Sequence, residues 1–342
     1  MSGTSLDGID LVEVTFTRKE RWQFQIKQAA TYPYSADWQK KLQQAIHLDP
    51  PALQSLNTDY TDFLAEVIAD FIRTHKIHQI DAVCSHGHTV FHQPEKGITL
   101  QIGNTPRLAQ QLGHTVVCDF RTQDVALGGQ GAPLVPVGDR LLFGEYGYCL
   151  NIGGFANISF EDEAGNRIAY DICPANNILN YYAGKLGKPY DHGGKEASKG
   201  KLHGELLHEL DQLEFYTVPP PKSLGIEWVE AQMLPIIQKY KLNPNDILRT
   251  LTGHITLQIA AALKKDTRVL VTGGGACNDF LIQNLRKSSP SEIVIPEKTL
   301  IDYKEALVFA LLGILKIRGE INCLSSATGA RHDHSSGKIF KS

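Results

Sequence analysis

A chain of 342 residues, 42% apolar and 21% charged, has the balance of a globular protein with length for about two domains. Its formal charge of -3 gives no basic face for nucleic acid or anionic lipid, and six dispersed cysteines without a Cys-x-x-Cys pair exclude a zinc ribbon or disulfide scaffold. No leader-like segment opens the sequence and the longest apolar run, 306–315, is too short to span a bilayer, so the expectation is a cytoplasmic protein with reduced thiols.

The opening stretch Met1-Ser2-Gly3-Thr4-Ser5-Leu6-Asp7-Gly8-Ile9-Asp10 packs glycines, hydroxyls and carboxylates just before a strand-like run at 11–16. Glycines let backbone N–H groups turn toward an anion, hydroxyls add donors, and an aspartate is a hard oxygen ligand for Mg²⁺. The same Asp-Gly pair is also a common hairpin-turn signal. A phosphate-wrapping turn of this kind places Gly8 at positive φ.

A second strand is expected at 24–30, after a polar turn at 18–21. Pro50-Pro51 breaks the chain, and Leu56, Tyr60, Phe63, Leu64, Val67, Ile68 and Phe71 fall at helical spacing, which predicts an amphipathic helix over 53–75. A strand at 80–84 runs into Ser85-His86-Gly87-His88-Thr89. Further on come a strand at 98–102, a helix at 106–112 with proline in its first turn, and a strand at 115–118 feeding Asp119-Phe120-Arg121-Thr122-Gln123-Asp124. The glycine-rich stretch 127–133 reads as a tight or flexible segment and a domain boundary. Strands then follow at 148–152, 158–160 and 168–172, with a polar segment at 191–204 and helical stretches to 263. The last elements are a strand at 268–271, a helix at 279–287, a strand at 293–295 and an apolar helix at 304–318. The order repeats itself, which suggests a duplicated α/β unit, domains 1–135 and 136–342, with a cleft between the copies and the last helix able to pack back on the first.

Glycine turns at 3–10, 153–157 and 273–276 form a trio. The first two sit between strands and could close on phosphates; the third joins a strand to a helix, where a ring or sugar could approach closely. Neither a P-loop nor a Gly-x-Gly-x-x-Gly turn after a strand is present. Moving phosphate needs a base and metal-supporting carboxylates, for which Asp7, Asp119, Asp124, Asp171 and Glu305 are candidates. Asp171 ends a strand and precedes Cys173-Pro174, a position suited to a general base, although an isolated aspartate there more often caps a turn. His86, His88 and His92 suggest a metal, with His86 and His88 read as lying on one strand face, but third and fourth ligands are not evident, which favours hydrogen-bonding or substrate-contacting histidines.

Taken together, the opening stretch, Ser85-His86-Gly87-His88-Thr89, Gln101-Ile102-Gly103-Asn104, Asp119-Phe120-Arg121 with Asp124, Gly128-Gly129-Gln130-Gly131-Ala132-Pro133, Asn151-Ile152-Gly153-Gly154 and Gly273-Gly274-Gly275-Ala276 with Asn278 closely resemble the anhydro-N-acetylmuramic acid kinases. The resemblance implies an actin/hexokinase/Hsp70-type (ribonuclease H-like) fold of two α/β domains closing on ATP. It implies conversion of 1,6-anhydro-N-acetylmuramic acid, ATP and water to N-acetylmuramic acid 6-phosphate and ADP in peptidoglycan recycling, with Mg²⁺ as cofactor. It also suggests a homodimer, with no nucleic-acid or membrane partner. Carried over by position, Gly3, Thr4, Ser5, Leu6, Asp7, Gly8, Ile9 and Asp10 form the first phosphate loop, with Asp7 toward the metal. Gly153, Gly154 and Asn157 belong to the second loop, and Gly273, Gly274, Gly275 and Asn278 lie by the adenosine. Asp171 falls on the catalytic base and Glu305 on an acidic active-site position; Ser85, His86, Thr89, Asp119 and Arg121 fall where the sugar is expected.

The chain departs from the family pattern in several places. Cys173-Pro174-Ala175-Asn176 and Asn180 replace a Gly-Pro-Gly-Asn run and a later aspartate, His88 replaces a glutamine, and Thr122-Gln123 replace two arginines. The last change supports an alternative, a kinase of another amino sugar; a sugar-sensing regulator would need a DNA-binding module that the sequence does not supply. The resemblance further implies apolar residues upstream of Met1, forming a central strand that runs into the opening turn. The expectation is therefore a natural start a few residues earlier.

Overall fold

The computed structural model describes residues 1–3, 6–263 and 267–342. Its strands are β1 (Gly8–Arg18), β2 (Trp22–Pro33), β3 (Val83–Ser85), β4 (His88–Gln93), β5 (Ile98–Ile102), β6 (Val116–Cys118), β7 (Tyr148–Ile152), β8 (Phe155–Glu161), β9 (Arg167–Pro174), β10 (Arg268–Thr272), β11 (Glu292–Val294) and β12 (Lys338–Phe340). The chain forms two compact units: Met1–Leu142 with Tyr303–Ser342, and Phe143–Asp302.

In the first unit β1 and β2 form an antiparallel hairpin with a bulge at Glu13/Val14, and Phe16 meets Trp22 edge-on at its far end. The long helix is Pro50–Thr74. Pro50 and Pro51 do not break the chain ahead of it; they occupy its first turn, where no N–H is needed, and Asp49 caps it by accepting from Ala52 N at 2.9 Å. Its buried face, Leu56, Tyr60, Leu64, Val67, Ile68 and Phe71, follows the helical spacing; the first five pack in a core with Ile102, Leu108, Val116 and Cys118, and Phe71 meets Tyr32 edge-on. A helix at Ala36–Gln44 escaped the sequence reading because its charged and amide residues bury only Leu42. β3 runs parallel to β6, and β12 pairs antiparallel with the other edge of β6, in a sheet separate from β1–β2. That pairing, with Gly313 of the helix Lys298–Ile317 so close to β3 that a Cβ there would stand 2.1 Å from Cys84 Sγ, seats the chain's last forty or so residues in the first unit. The stretch 127–133 is not a boundary: the unit continues to Leu142, and Gln130 N bonds Thr328 O within it at 2.8 Å.

The second unit is built on one five-stranded sheet in the order β11-β10-β7-β8-β9. β8 is antiparallel to both β7 and β9, whereas β10 and β11 are parallel to their neighbours. Numbered within the unit this is 3-2-1-4-5 read from β9, with the second strand reversed, the topology of the ribonuclease H-like fold shared by actin, hexokinase and Hsp70. The helices Asn176–Gly184, Pro244–Ala262 and Asp279–Ser288 bury Ile178, Leu179, Leu248, Leu251, Ile255, Leu281 and Leu285 with the sheet residues Leu150, Ile152, Ile158, Val269 and Val271. Strand-rich apolar runs and 3.6-spaced helices account for this core directly.

Candidate active site

In the first unit β3 and β6 end side by side, with Ser85 paired to Cys118. The two candidate sugar segments therefore leave adjacent strand ends, where ligands of open α/β sheets are bound. Gly87 turns the chain at φ +73°, where a Cβ would stand 2.4 Å from Ile102 O, and this puts His86 in the turn and His88 at the start of β4. They do not share a strand face. Each ring has its own partners instead. Arg121 Nε donates to His86 Nε2 at 2.9 Å and Arg121 Nη1 donates to Gly131 O at 2.6 Å. A guanidinium can only donate, so His86 Nε2 accepts and Nδ1 carries the proton, bonding Gly87 O at 3.0 Å. Burial, and then the nearby Arg121 charge, hold the His86 pKa well below 6.5.

His88 Nδ1 lies 2.9 Å from Ser2 Oγ, which is 2.6 Å from Tyr34 OH, itself 2.7 Å from Tyr60 OH. This buried chain of hydroxyls ties the opening turn to the long helix; burial takes the His88 pKa to about 4. Sequence reading missed Tyr34 and Tyr60 because aromatic residues at strand and helix spacing read as core. Asp119, at φ 59°, accepts from Thr122 Oγ1 at 2.5 Å and pairs with Lys338 at 2.8 Å. Ser85 Oγ accepts from Gly87 N at 3.2 Å, and Thr89 stands on β4 opposite Gln101. Glu305 is exposed as a residue, yet the protein packed around it desolvates its carboxyl. That desolvation raises its pKa above the usual glutamate value, and the Arg121 charge pulls it back.

The opening turn brings Met1 and Asp10 together through Asp10 N to Met1 O at 2.8 Å, and Asp10 Oδ1 accepts from Thr31 Oγ1 at 2.6 Å. Asp7 is exposed. Gly3 and Leu6 flank Thr4 and Ser5, which lie outside the described residues. The positive φ expected at Gly8 belongs to Leu6, at 57°. Gly8 and Ile9 are buried at the start of β1, and Gly8 is required for another reason: a Cβ there would meet Tyr32 O at 2.5 Å.

In the second unit Asp171 lies within β9, which continues to Pro174, so it does not end its strand. It faces Asn157 beside a bulge at Ala156/Asn157. Its N–H donates to Lys222 O at 3.0 Å and its Oδ2 accepts from Leu224 N at 2.9 Å, which fixes the carboxylate against the 222–224 backbone. Burial raises its pKa, and the Leu224 bond lowers it in part. Gly153 and Gly154 make the β7–β8 turn; Gly153 N is used inside the turn on Phe155 O at 3.1 Å rather than turned outward, and Asn157 lies on β8. Gly273, at φ 80°, and Gly275 lie against Ile152, where a Cβ on Gly275 would come within 2.2 Å of its side chain. Only Gly274 of the three is exposed. Asn278 caps the helix Asp279–Ser288 through Leu281 N at 3.1 Å. Packing and capping thus account for Gly273, Gly275 and Asn278 without a ligand.

Known proteins match this chain along its length. The family model described as anhydro-N-acetylmuramic acid kinase matches residues 1–342. The chain is 34% identical to the anhydro-N-acetylmuramic acid kinase of Vibrio cholerae serotype O1, covering 99% of this chain and 96% of that protein. It is 33% identical to that of Haemophilus influenzae and 32% identical to that of Caldanaerobacter subterraneus, again over 99% of this chain, covering 96% and 95% of those proteins. The chain belongs to the anhydro-N-acetylmuramic acid kinase family.

Proposed function

We propose that this protein uses ATP and water to open 1,6-anhydro-N-acetylmuramic acid and phosphorylate its O6, releasing N-acetylmuramic acid 6-phosphate and ADP in cytoplasmic peptidoglycan recycling. The observation that carries the reading is the family match over the whole chain together with the carboxylate of Asp171, oriented by Leu224 N and lifted in pKa by burial. Asp171 takes a proton from water as that water's oxygen bonds the anomeric carbon. The C1–O6 bond breaks, its electron pair staying on O6, and O6 attacks the γ-phosphorus of ATP with ADP leaving. Ser85, His86, Thr89, Asp119 and Arg121 are proposed to hold the sugar, with neutral His86 and cationic Arg121 acting as a bonded pair. Glu305, next to Arg121 in charge range, is proposed to bind or polarise the sugar's reacting end.

The ATP phosphates are assigned to the turn 3–10 and to Gly153, Gly154 and Asn157, and the adenosine to the exposed Gly274, in the turn whose shape Gly273, Gly275 and Asn278 maintain. Asp7 offers an exposed hard oxygen donor that fits Mg²⁺, held partly through water. When bound, Mg²⁺ neutralises charge building on the transferring phosphate.

The test is ADP release with a panel of amino sugars, with mass analysis of the product formed in ¹⁸O-water. One ¹⁸O at C1 and a phosphate on O6, with the anhydro sugar alone, is the expected result. Turnover of a different sugar, with none for this one, overturns it. That second reading has a specific support: Thr122 stands where the family carries arginine and is bound to Asp119, so the charge around Asp119 differs from the family pattern.

A further inference from the structure

Outside the proposed catalytic residues, three buried side chains of different chemistry converge. Cys323 and His334 face one another across an isolated antiparallel bridge and exchange both backbone bonds at 3.1 Å, which fixes their side chains on neighbouring positions. Asp124, from the short helix Thr122–Ala126, reaches the same point: its Oδ1 lies 3.0 Å from Cys323 Sγ and 3.5 Å from His334 Nε2. The three ligand atoms lie within 4.8 Å of one another, and Asp124, Cys323 and His334 are 0%, 1% and 5% exposed.

His334 is the discriminating residue. Its Nδ1 is 3.1 Å from His332 O, a carbonyl, so Nδ1 carries a proton. Its buried Nε2 makes no hydrogen bond, and 3.5 Å to Asp124 Oδ1 is a contact rather than a bond. An imidazole whose Nδ1–H is held by a backbone carbonyl and whose Nε2 makes no hydrogen bond is oriented as metal-binding histidines are. Asp124 is likewise held from behind, its Oδ2 accepting from Gly131 N at 2.6 Å.

We propose that Asp124 Oδ1, Cys323 Sγ and His334 Nε2 bind one Zn²⁺-class divalent ion, with the Thr328 hydroxyl or a water as fourth ligand. Bond lengths of about 2.0–2.3 Å in a tetrahedral site give ligand–ligand edges of about 3.3–3.6 Å; His334 Nε2 at 3.5 Å from Asp124 Oδ1 already matches such an edge, and Cys323 Sγ at 3.0 Å would move outward by about half an ångström on binding. Thr328 Oγ1 is 2.7 Å from the same Asp124 oxygen. Thiolate, imidazole and carboxylate together select a borderline ion over Mg²⁺ or Ca²⁺, and one thiolate with one carboxylate cancels the ion's charge. Binding releases the Cys323 thiol proton. The ion would tie the segment 323–334 to Asp124, whose other oxygen holds Gly131, whose carbonyl in turn holds Arg121. It is a positioning element for Arg121 and no part of the phosphoryl transfer.

The test uses full-length protein made in zinc-supplemented medium, purified without chelator and desalted. Elemental analysis should find about one zinc per chain. Cobalt-exchanged protein should show thiolate-to-cobalt charge-transfer absorption, and chelation should lower the melting temperature, restored by Zn²⁺ and not by Mg²⁺. Cys323→Ser should lose the charge-transfer band and His334→Ala the stoichiometric zinc, while Cys277→Ala, at an exposed thiol, should keep both. Folded wild-type protein with less than a tenth of a zinc per chain and no cobalt band overturns the proposal, whether or not the variants fold. The cluster is then a hydrogen-bonded network in which the Cys323 thiol and Thr328 hydroxyl donate to Asp124.

Discussion

His86 accepts a hydrogen bond from Arg121 Nε at 2.9 Å while giving its own proton to Gly87 O, so a second proton on the ring would break one of the two contacts. Its pKa lies well below 6.5 in the folded protein, through burial first and Arg121 second. The unfolded chain binds that proton near pH 6.5 and the folded chain does not. The stability this group contributes is therefore complete above about pH 6.5 and declines as pH falls, by up to about 1.4 kcal/mol per pH unit for one group. His88, with its pKa near 4, acts in the same direction. Denaturant unfolding of the wild type between pH 7.5 and 5 should show this loss, and His86→Gln should have a flatter slope. An unchanged slope in the variant removes His86 from the account.

Replacing Asp171 with Asn keeps an oxygen able to accept from Leu224 N, so the 222–224 backbone stays in place. An amide cannot take a proton from water at neutral pH, and turnover should fall by about a hundredfold or more with the fold and ATP affinity intact. Because burial raises the Asp171 pKa, the acid limb of the wild-type kcat/KM profile should lie above the ordinary aspartate range. Near-normal turnover in the variant moves the base to Glu305 or Asp119.

Much of this was legible in the sequence, and the misses have physical causes. The helix Pro50–Thr74 and the strands β7 and β10 follow from periodicity and apolar runs, because packing at those positions agrees with local preference. Asp171 and Arg121 could be singled out by residue type and by resemblance. The bonds that give Arg121 and His86 their states, to Gly131 O and Gly87 O, are backbone contacts that no side-chain pattern encodes. The glycines at 273 and 275 looked like a ligand surface because close packing and ligand approach require the same missing Cβ. The segment 323–334 carried no signal of its own, since a bridge between Cys323 and His334 depends on the return of the chain to Asp124.

Gly8 offers a test that separates a turn from a phosphate loop. A side chain there meets the Tyr32 carbonyl, so Gly8→Ala should cost stability of about 1–3 kcal/mol through overpacking at the start of the hairpin. If the turn binds phosphate, calorimetric ATP affinity should also fall, even at temperatures where the variant remains folded. Weakened stability with unchanged ATP affinity would assign this turn to the fold alone.

Lys304 and Asp139 form an ion pair at 2.6 Å with both side chains nearly inaccessible, at 7% and 5%. Lys304 precedes Glu305 on the helix Lys298–Ile317, so the pair anchors the turn that presents the Glu305 carboxylate. Two charges in this setting are expensive to separate: Lys304→Met removes the ammonium from a buried carboxylate and should cost up to about 3–5 kcal/mol, less what the other contacts of Asp139 offset. The double variant Asp139→Leu with Lys304→Met removes both charges together and should recover most of that loss, because the desolvation of each ion disappears with the attraction between them. Chemical denaturation of the three proteins measures the stability difference directly. Sugar affinity supplies the second readout: it should fall in Lys304→Met and stay reduced in the double variant if the pair sets the position of Glu305. Full recovery of stability and sugar affinity together would show that the pair holds the helix without tuning the site, and a loss under about 1 kcal/mol in Lys304→Met would show that the other contacts of Asp139 carry its charge.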